Sequence, residues 1–585
     1  MPDSQTTAAD TVTTVITGSG IGQGVAIGRV LRASDPLPEP SDAPSARTPD
    51  DERARLKAAI AAVTATLRER AAATSGIATD VLEAQAMMVE DEILADEVDG
   101  RIDAGATAER SVFEAFAAFR ETLIGFGGYM AERATDLDDL SQRVVAALSG
   151  VPAPGLPASD EPFVLVAHDL APAETALLDL DKVLALITIE GGPTSHTAIL
   201  AREKAIVAVV AATGASDLVD SDEVIVDAAA GTITVSPSPD EADAARIRIA
   251  ERAAALAAPA APGALADGTL IPLLANLGSA DAAAAAVEAG AEGVGLFRTE
   301  FLFLDARQAP TVEEQRAHYR TLLAAFAGKK VVVRVLDAGA DKPLEFLNDA
   351  HEDNPALGVR GLRALQGSED ILREQLTALA AADAETDADL WVMAPMVATV
   401  DEAAYFSGLA REYGIKTAGV MVEIPSAALI ADRILAVTDF ASIGTNDLTQ
   451  YTLAADRLLG SVAHLQDPWH PAVLRLIGEV GSAGASAGKP VGVCGEAAAD
   501  PLLALVLVGL GVQTLSMSPA ALADVRASLT RVTLETARRL ADAALAAVDG
   551  ASARAAVAAL LESRSTRTPV SNPTPISTPL NGALS

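Results

Sequence analysis

The residues best suited to chemistry lie at the ends of short apolar runs in the second half of the chain. The runs "GVGLFRTE" and "VVVRVLDAG" contain Arg298 and Arg334, whose planar, permanently charged guanidinium groups suit phosphate or carboxylate oxygens. Three further arginines follow in "NPALGVRGLR" and "AADR": Arg360, Arg363 and Arg457. This collection predicts a binding site for a small anion of high charge.

Oxygen donors end two other apolar runs. Glu423 follows "AGVMV", and Asn446 and Asp447 follow "FASIG". Carboxylate and amide oxygens are hard ligands that suit Mg²⁺ bound together with substrate oxygens. Arginines beside a Mg²⁺ site predict a phosphorylated acid as the substrate.

The single cysteine, Cys494 in "VGVCGEAA", lies at the end of another apolar run. A free cysteine is usually a small buried hydrophobe, and a catalytic role is the alternative interpretation at this position. We expect nearby cations and a metal to stabilise its thiolate, so that the group can exchange a proton with substrate. The residues alone leave both interpretations open.

His196 lies in "GGPTSHTAIL", between two glycines and the start of a predicted helix. Gly191 and Gly192 allow close approach of the backbone, and the free N–H groups of a helix N-terminus stabilise an anion. Because a neutral imidazole is a nucleophile, His196 is a candidate to accept and pass on a phosphoryl group. A structural or surface histidine is the alternative, and no second histidine or cysteine lies nearby in sequence to build a metal site.

Hydrophobic periodicity divides the chain into an α/β part, a helical part and a barrel. Strand-like runs over 13–238 predict an α/β domain with a helical insertion at about 50–145, and 239–260 reads as a linker helix. About eight apolar runs alternate with helices over 261–550 and predict a TIM (β/α)₈ barrel, whose strand ends converge on one mouth. A doubly wound sheet is the alternative. Residues 551–585 are predicted to form a disordered tail.

The overall composition narrows the range of partners. A formal charge of −37 argues against nucleic acid or an anionic membrane surface and would attract a basic protein. No apolar run approaches the ~20 residues that cross a bilayer, and the first residues do not read as a signal peptide. One cysteine fits a reducing compartment, so we expect a cytoplasmic protein without membrane insertion.

Seven motifs in the chain resemble those of one family. They are "GGPTSHTAILARE", "GVGLFRTEFLF", "NPALGVRGLR", "MVEIPSAAL", "ASIGTNDLTQYTLAADR", "GVCGEAA" and "LSMSPA". Together they closely resemble enzyme I of the phosphoenolpyruvate-dependent sugar phosphotransferase system, from about residue 15 to 550 and in the same order. Pro193 departs from the pattern, since many members of that family have arginine there.

The resemblance implies a swivelling phosphohistidine α/β domain and a reaction in two steps. Phosphoenolpyruvate binds in the barrel with Mg²⁺, its phosphoryl group passes to His196, and pyruvate leaves. The phosphohistidine then donates to the phosphocarrier protein HPr, which docks on the helical insertion. Thr175 matches a threonine that orients the acceptor histidine, and the barrel is expected to form a homodimer.

The resemblance also implies roles at the barrel mouth. Arg298 and Arg334 bind the phosphate and carboxylate groups of the substrate, and Glu423 and Asp447 hold Mg²⁺. Cys494 protonates the enolate carbon to give pyruvate. Further substrate contacts are expected from Asn446, Asp447 and Arg457. Arg360 is expected to support the site.

Two alternatives were weighed against this assignment. Pyruvate phosphate dikinase and phosphoenolpyruvate synthase share the phosphohistidine domain and the barrel, but they need a large ATP-grasp domain, and no obvious glycine-rich nucleotide loop precedes His196. A non-catalytic docking scaffold is the other alternative. Retention of every expected chemical group argues against it: His196, Arg298, Glu423, Asp447 and Cys494.

Overall fold

The computed structural model divides into two compact units, Met1–Ala258 with Arg457–Ala463, and Pro259–Asp456 with His464–Ser585. It describes most of the chain, and the statements below concern the described residues only. These are 14–22, 24–34, 37–73, 77–126, 134–157, 159–170, 178–179, 181–192, 197–198, 201, 206–257, 261–304, 309–339, 344, 347, 352–457 and 459–565.

A mixed sheet forms the centre of the first unit. Its strands are β1 (Thr14–Thr17), β2 (Ser19–Ile21), β3 (Val25–Arg32), β4 (Phe163–Ala167), β5 (Val183–Thr188), β6 (Val207–Val210), β7 (Glu223–Asp227) and β8 (Thr232–Val235). Their order across the sheet is β1-β8-β7-β3-β4-β5-β6-β2. Strands β3 to β6 pair in parallel, while β1, β2, β7 and β8 pair antiparallel with their neighbours. Because β4 and β6 are buried along their whole length, their sequences are continuously apolar.

A helical block separates β3 from β4. Its described helices are α1 (Pro49–Ala73), α2 (Ile77–Val89), α3 (Glu92–Asp103), α4 (Ala108–Phe126) and α5 (Ala134–Ser149). Leu56, Val63 and Leu67 share one buried face of α1, and Val112 and Phe116 are buried on α4. The helical periodicity of this segment therefore produces a bundle with its own apolar core, as the sequence predicts.

Helix α6 (Pro239–Ala257) is packed on the sheet of the first unit. Its Ala245 joins Val25 and Ile225 in a small apolar cluster, and Arg248 forms an ion pair of 2.7 Å with Asp227 of β7. The residues predicted as a linker helix are thus helical, but they are integrated into the first unit rather than free of it.

The second unit is a closed barrel of parallel strands. In chain order they are β9 (Leu273–Leu277), β10 (Val294–Phe297), β11 (Lys330–Arg334), β12 (Asp389–Ala394), β13 (Thr417–Val422), β14 (Ala441–Ile443), β15 (Val491–Val493) and β16 (Thr514–Met517). Each strand pairs with the next, and β16 pairs with β9 to close the ring. The barrel is confirmed, and the doubly wound sheet is excluded because an open sheet has two unpaired edges.

Helices surround the barrel and separate its strands. Those described are α7 (Ala283–Glu288), α8 (Glu300–Leu304), α9 (Val312–Ala325), α10 (Leu362–Gly367), α11 (Glu369–Ala384), α12 (Val400–Glu412), α13 (Pro425–Leu429), α14 (Ala431–Val437), α15 (Thr445–Leu453), α16 (Pro471–Ala487), α17 (Pro501–Gly509), α18 (Leu522–Leu529), α19 (Leu534–Leu545) and α20 (Gly550–Ser565). Capping boxes at Thr311 and Thr399 fix the starts of α9 and α12. Phe303, Phe326 and Phe406 are fully buried in the barrel core.

The expected disordered tail is wrong for residues 551–565, because α20 extends to Ser565. Ala553 and Val557 on this helix are fully buried in the core of the barrel unit. An alanine-rich segment has strong helix propensity, and burial of one face supplies the stability that such a helix lacks alone. The rest of the expected tail lies outside the described residues.

Across the described ranges, no helix combines the length and the apolar character needed to cross a membrane.

Candidate active site at the barrel mouth

Most of the polar residues singled out in the second half of the sequence lie at the carboxyl ends of barrel strands. Arg298 directly follows β10, Arg334 ends β11, Glu423 directly follows β13, and Cys494 directly follows β15. Asn446 and Asp447 lie in the first turn of α15, just after β14. Because parallel strands of a closed barrel direct these ends to one face, the residues converge on one mouth.

Arg334 is buried and held by two carboxylates. Its Nη1 atom lies 3.1 Å from Oδ2 of Asp337, and its Nη2 atom donates a short hydrogen bond to Glu300. Burial disfavours the charged guanidinium, but the charges of Glu300 and Asp337 outweigh that effect and raise the pKa of Arg334. Arg334 is therefore a fixed cation of the barrel mouth.

Arg360 reaches the same mouth from the segment before helix α10. Its Nη1 atom lies 3.2 Å from Oδ1 of Asp447 and 3.4 Å from the hydroxyl of Tyr451, and its Nη2 atom lies 3.4 Å from Oδ2 of Asp337. The side chain is nearly fully buried. Arg360 therefore links the loop after β11 to helix α15.

Glu423 and Asp447 bring two buried carboxylates to the mouth. Burial, followed by the charges of Asp447 and Asp337, raises the pKa of Glu423, although Arg334 and a hydrogen bond of 2.9 Å from the Met396 amide oppose this rise. Carboxylates that repel one another in a buried site are relieved by a divalent cation. Within the described ranges there is no group of three or more acidic, histidine or cysteine residues that could hold a metal ion.

Cys494 lies in the barrel interior below these charges. It packs with Leu296, Met393 and Met421, and only 2% of its surface is exposed. Burial raises the pKa of the thiol to about 11, and the hydrogen bond from Ser442 and the charges of Arg334 and Arg298 lower it by less. The neighbouring cations do favour the thiolate, as expected, but burial is the larger effect and the neutral thiol is favoured.

Two asparagines tie the ends of neighbouring strands together. The amide of Asn276 donates to the carbonyl oxygens of Cys494, at 3.0 Å, and Ser516, at 3.3 Å. The side-chain oxygen of Asn446 accepts a hydrogen bond of 3.2 Å from the Glu496 amide. These contacts fix the backbone at Cys494 and at Glu496, two residues after it.

The remaining arginines differ in their surroundings. Arg298 is exposed, and its charge acts on Cys494. Arg363 lies in helix α10, 3.6 Å from Glu402, and donates to the Gly358 carbonyl oxygen, so these contacts are not with the mouth carboxylates. Arg457 is half-buried and is grouped with the first unit, so its substrate contact stays a prediction.

His196 and Thr175 lie outside the described residues, but the segments around them are partly described. Gly191 has a φ of +82°, a left-handed conformation that favours glycine, directly after the loop that follows β5. The hydroxyl of Thr197 donates to Oδ1 of Asp169 at 3.2 Å and is fully buried. The motif around His196 is therefore joined to the segment that leads towards Thr175.

Three residues of the mouth were missed by the sequence reasoning. Glu300 and Asp337 hold Arg334, and Tyr451 contacts Arg360 while donating a short hydrogen bond to the Ala356 carbonyl oxygen. Asp337 lies three residues after Arg334, the last residue of β11, so its position just beyond a strand end could have identified it. Glu300 and Tyr451 lie within helices, where their sequence carries no such signal.

Comparison with known proteins agrees with this architecture. Residues 17–133 match the N-terminal domain of PEP-utilising enzymes, residues 159–231 their mobile domain, and residues 252–534 their PEP-binding domain. The last of these matches covers every barrel strand and the mouth residues. The fold and the site therefore define a PEP-utilising enzyme.

Curated relatives narrow this class. A phosphoenolpyruvate-protein phosphotransferase of Streptomyces coelicolor is 53% identical over 94% of this chain and 99% of its own length. Enzymes of the same name from Haloferax volcanii and Haemophilus influenzae are 41% and 38% identical, over 80% and 82% of this chain and 84% and 86% of their own. The chain belongs to the family of phosphoenolpyruvate–protein phosphotransferases, the enzyme I family that its motifs resemble.

Membership of this family favours phosphoryl transfer over the two alternatives. The N-terminal match covers residues 17–133, which include helices α1–α4 of the helical block. The family also implies a divalent metal ion, which agrees with the carboxylate pair at the mouth.

Proposed function

We propose that this enzyme transfers the phosphoryl group of phosphoenolpyruvate to its own His196 and then to the phosphocarrier HPr, the first step of sugar uptake by the phosphotransferase system. The observation that carries the proposal is the convergence of guanidinium groups, a carboxylate pair and a neutral thiol on one barrel mouth: Arg298, Arg334, Arg360, Glu423, Asp447 and Cys494. Phosphoenolpyruvate carries the phosphate, the carboxylate and the proton-accepting carbon that these groups suit.

The arginines bind and orient the substrate. Arg298 and Arg334 contact its phosphate and carboxylate oxygens, and Asn446, Asp447 and Arg457 supply further contacts. Because Arg334 is already held at both Nη atoms, little rotational freedom remains to be lost when substrate binds. Catalysis of phosphoryl transfer depends mainly on such positioning and on neutralising charge.

Glu423 and Asp447 hold the divalent cation, which we propose to be Mg²⁺. Hard oxygen ligands with few protein carboxylates are typical of Mg²⁺ bound together with substrate phosphate. When bound, the ion neutralises negative charge on the oxygens of the transferring group. Release of the repulsion that raises the pKa of Glu423 favours its binding.

The chemical step exchanges one bond to phosphorus for another. A ring nitrogen of His196, oriented by Thr175, forms the P–N bond as the bond between phosphorus and the enol oxygen breaks, and that oxygen keeps the electron pair. The methylene carbon of the enolate then takes the Sγ proton of Cys494, which gives pyruvate and a thiolate that water reprotonates. A buried thiol with a raised pKa is suited to this donation.

The second step needs a protein partner. We propose that HPr docks on the helical block α1–α5, where Met87 and Ile93 expose 65% and 70% of their surfaces. Large exposed apolar side chains are typical of interaction sites. The barrel unit is proposed to form a homodimer, and the enzyme is proposed to be cytoplasmic, which agrees with its single cysteine.

The acceptor assignment is tested with phosphoenolpyruvate labelled in its phosphate. With Mg²⁺, the unmodified enzyme should take up one label per chain and pass it to purified HPr, while His196→Ala should take up none, because the nucleophile is lost. His318→Ala is the matched control, since this exposed histidine lies on helix α9 and should label normally. Labelling that survives in His196→Ala refutes the acceptor, and labelling from ATP but not from phosphoenolpyruvate refutes the donor.

A further inference from the structure

Asp337 is a buried carboxylate that touches two guanidinium groups at once. It lies three residues after Arg334, just beyond the end of β11, and only 3% of its surface is exposed. Its Oδ2 atom is 3.1 Å from Nη1 of Arg334 and 3.4 Å from Nη2 of Arg360. One oxygen atom therefore bridges two cations that come from separate segments of the chain.

We propose that Asp337 is a positioning residue, which sets the spacing and orientation of the Arg334 and Arg360 guanidinium groups for the transferring phosphoryl group. The inference rests on the proposed function, because the spacing matters only if an anionic substrate binds between these groups. Asp337 acts through the arginines and does not itself contact the substrate, since a carboxylate there would repel its oxygens.

The arrangement of carboxylates supports this assignment. Arg334 is held by Glu300 on Nη2 and by Asp337 on Nη1, and Arg360 is held by Asp447 on Nη1 and by Asp337 on Nη2. Asp337 is the one carboxylate that both arginines share in these contacts. A guanidinium anchored on both Nη atoms cannot rotate about its long side chain, so its orientation is set before substrate arrives.

The backbone around Asp337 reinforces the same geometry. The Gly361 amide donates a hydrogen bond of 2.9 Å to the Ala338 carbonyl oxygen, so the residues after Asp337 and Arg360 are joined directly. A Cβ atom at Gly361 would lie 3.2 Å from Oδ1 of Asp337. The carboxylate thus fills the space between the two segments, and its position cannot shift without moving one of them.

The test separates positioning from binding and from folding. Asp337→Asn keeps the shape of the side chain and removes its charge. We expect kcat for labelling of the enzyme by phosphoenolpyruvate with Mg²⁺ to fall at least tenfold. We expect KM to stay the same or decrease, because loss of a negative charge does not weaken binding of an anion. Transfer of label from phosphorylated HPr back to the enzyme should be unchanged, since that step does not use the barrel mouth.

Asp439→Asn is the matched control. Asp439 pairs with Arg411 at 3.0 Å and accepts a hydrogen bond from the Ala418 amide, just before β14 and therefore at the opposite end of the same barrel. This variant also removes a carboxylate from an aspartate–arginine pair, and its kcat and KM should match those of the unmodified enzyme. A comparable fall in kcat in Asp439→Asn would show that any such loss acts through stability, and would overturn the assignment.

A second variant addresses spacing directly. Asp337→Glu keeps the charge but moves it by one methylene group, so kcat should again fall while KM is retained. Full kcat in either Asp337 variant, a rise in KM that accounts for the whole effect, or failure of both variants to fold would each overturn the proposal. Absence of labelling in the unmodified enzyme would refute the proposed function itself, and the role of Asp337 with it, whereas normal labelling with unaffected variants refutes only the latter.

Discussion

At the scale of single residues, the thiol of Cys494 shows burial and neighbouring charge in competition. Arg334 and Arg298 favour the thiolate, yet burial among Leu296, Met393 and Met421 disfavours any charge and raises the pKa from 9.0 to about 11. A proton donor must hold its proton at working pH. The environment therefore suits the proton-donor role proposed for Cys494, since the thiol stays protonated until a stronger base is formed.

The raised pKa predicts how Cys494 reacts with alkylating agents. Because the thiolate is the reactive species, the rate of modification by iodoacetamide in the folded protein should rise about tenfold per pH unit from pH 7 to pH 10 without reaching a plateau. The rate is measured by mass spectrometry, and the chain has one cysteine, so the signal has one source.

Unfolded protein provides the reference for this measurement. In concentrated guanidinium chloride the rate should level off near the ordinary thiol pKa of 9.0. Since the folded state holds the proton more tightly, the free energy of unfolding should fall as pH rises from about 9 to about 11. A plateau below pH 9 in the folded protein contradicts the prediction.

At the scale of elements, some site residues lie at the ends of strands, whereas others lie on the segments that connect the strands. Arg334 ends β11, whereas Arg360 lies just before helix α10. Gly361 forms the turn at the start of that helix. Its φ of +59° and ψ of −131° are a conformation open essentially to glycine alone.

Substitution of Gly361 tests this element. In Gly361→Ala the new Cβ would lie 2.8 Å from Cβ of Met396, and the backbone conformation would be strained. We expect a loss of roughly 1–3 kcal/mol in the free energy of unfolding. We also expect slower labelling by phosphoenolpyruvate, because Arg360 must shift with its neighbour. Thermal unfolding and initial labelling rates measure the two effects.

Gly367→Ala is the control within the same helix. A Cβ at Gly367 would have no atom within 4 Å, and its φ is not positive. Alanine is the better helix former there, so stability should be unchanged or slightly increased and labelling should be normal. Equal behaviour of the two variants would show that Gly361 is not required by its conformation.

The positions of the site residues on strands and loops explain which of them could be predicted from the sequence. Residues at strand ends, such as Arg298 and Glu423, could be assigned to the mouth because parallel strands fix where their ends meet. The contact of Arg360 with Asp447 could not, since it depends on the path of a loop. Asp337 was missed because a carboxylate after a strand is usually solvated. The protonation state of Cys494 depends on its burial, and the neighbouring glycines in the sequence do not indicate how deeply it is buried.

Alanine-rich helices were the other source of error. The sequence predicts a linker helix at α6, which is helical, and a disordered tail over most of α20, which is not observed; both helices pack on larger elements. Alanine has strong helix propensity but little apolar surface, so its sequence pattern does not indicate which face is buried. Contacts such as that of Ala245 with Val25 and Ile225 can be identified only in the folded chain.

At the scale of the whole molecule, the chain divides its chemistry between two units with separate cores. The proposed phosphoryl acceptor belongs to the α/β unit, and the proposed substrate residues belong to the barrel unit except for Arg457, which is grouped with the α/β unit. Although acidic residues are in excess in the chain, the negative charges at the mouth are balanced by arginines. Asp337 and Asp447 are each paired with arginine. Buried carboxylates there are therefore partly neutralised before any metal binds.

Helix α20 contributes to the stability of the barrel unit. Val557 and Ala553 are fully buried, and Arg554 pairs with Asp500 at 3.0 Å and lies 5.4 Å from the centroid of the Trp469 ring. Truncation after residue 549 should cost about 2–4 kcal/mol, mainly through lost apolar burial, and lower the Tm of the barrel transition by several degrees. Truncation after residue 565 keeps the helix and is the control, with an unchanged Tm. The Tm values are measured by scanning calorimetry. Equal values for both truncations would mean that α20 does not stabilise the core and would contradict its packing in the structure.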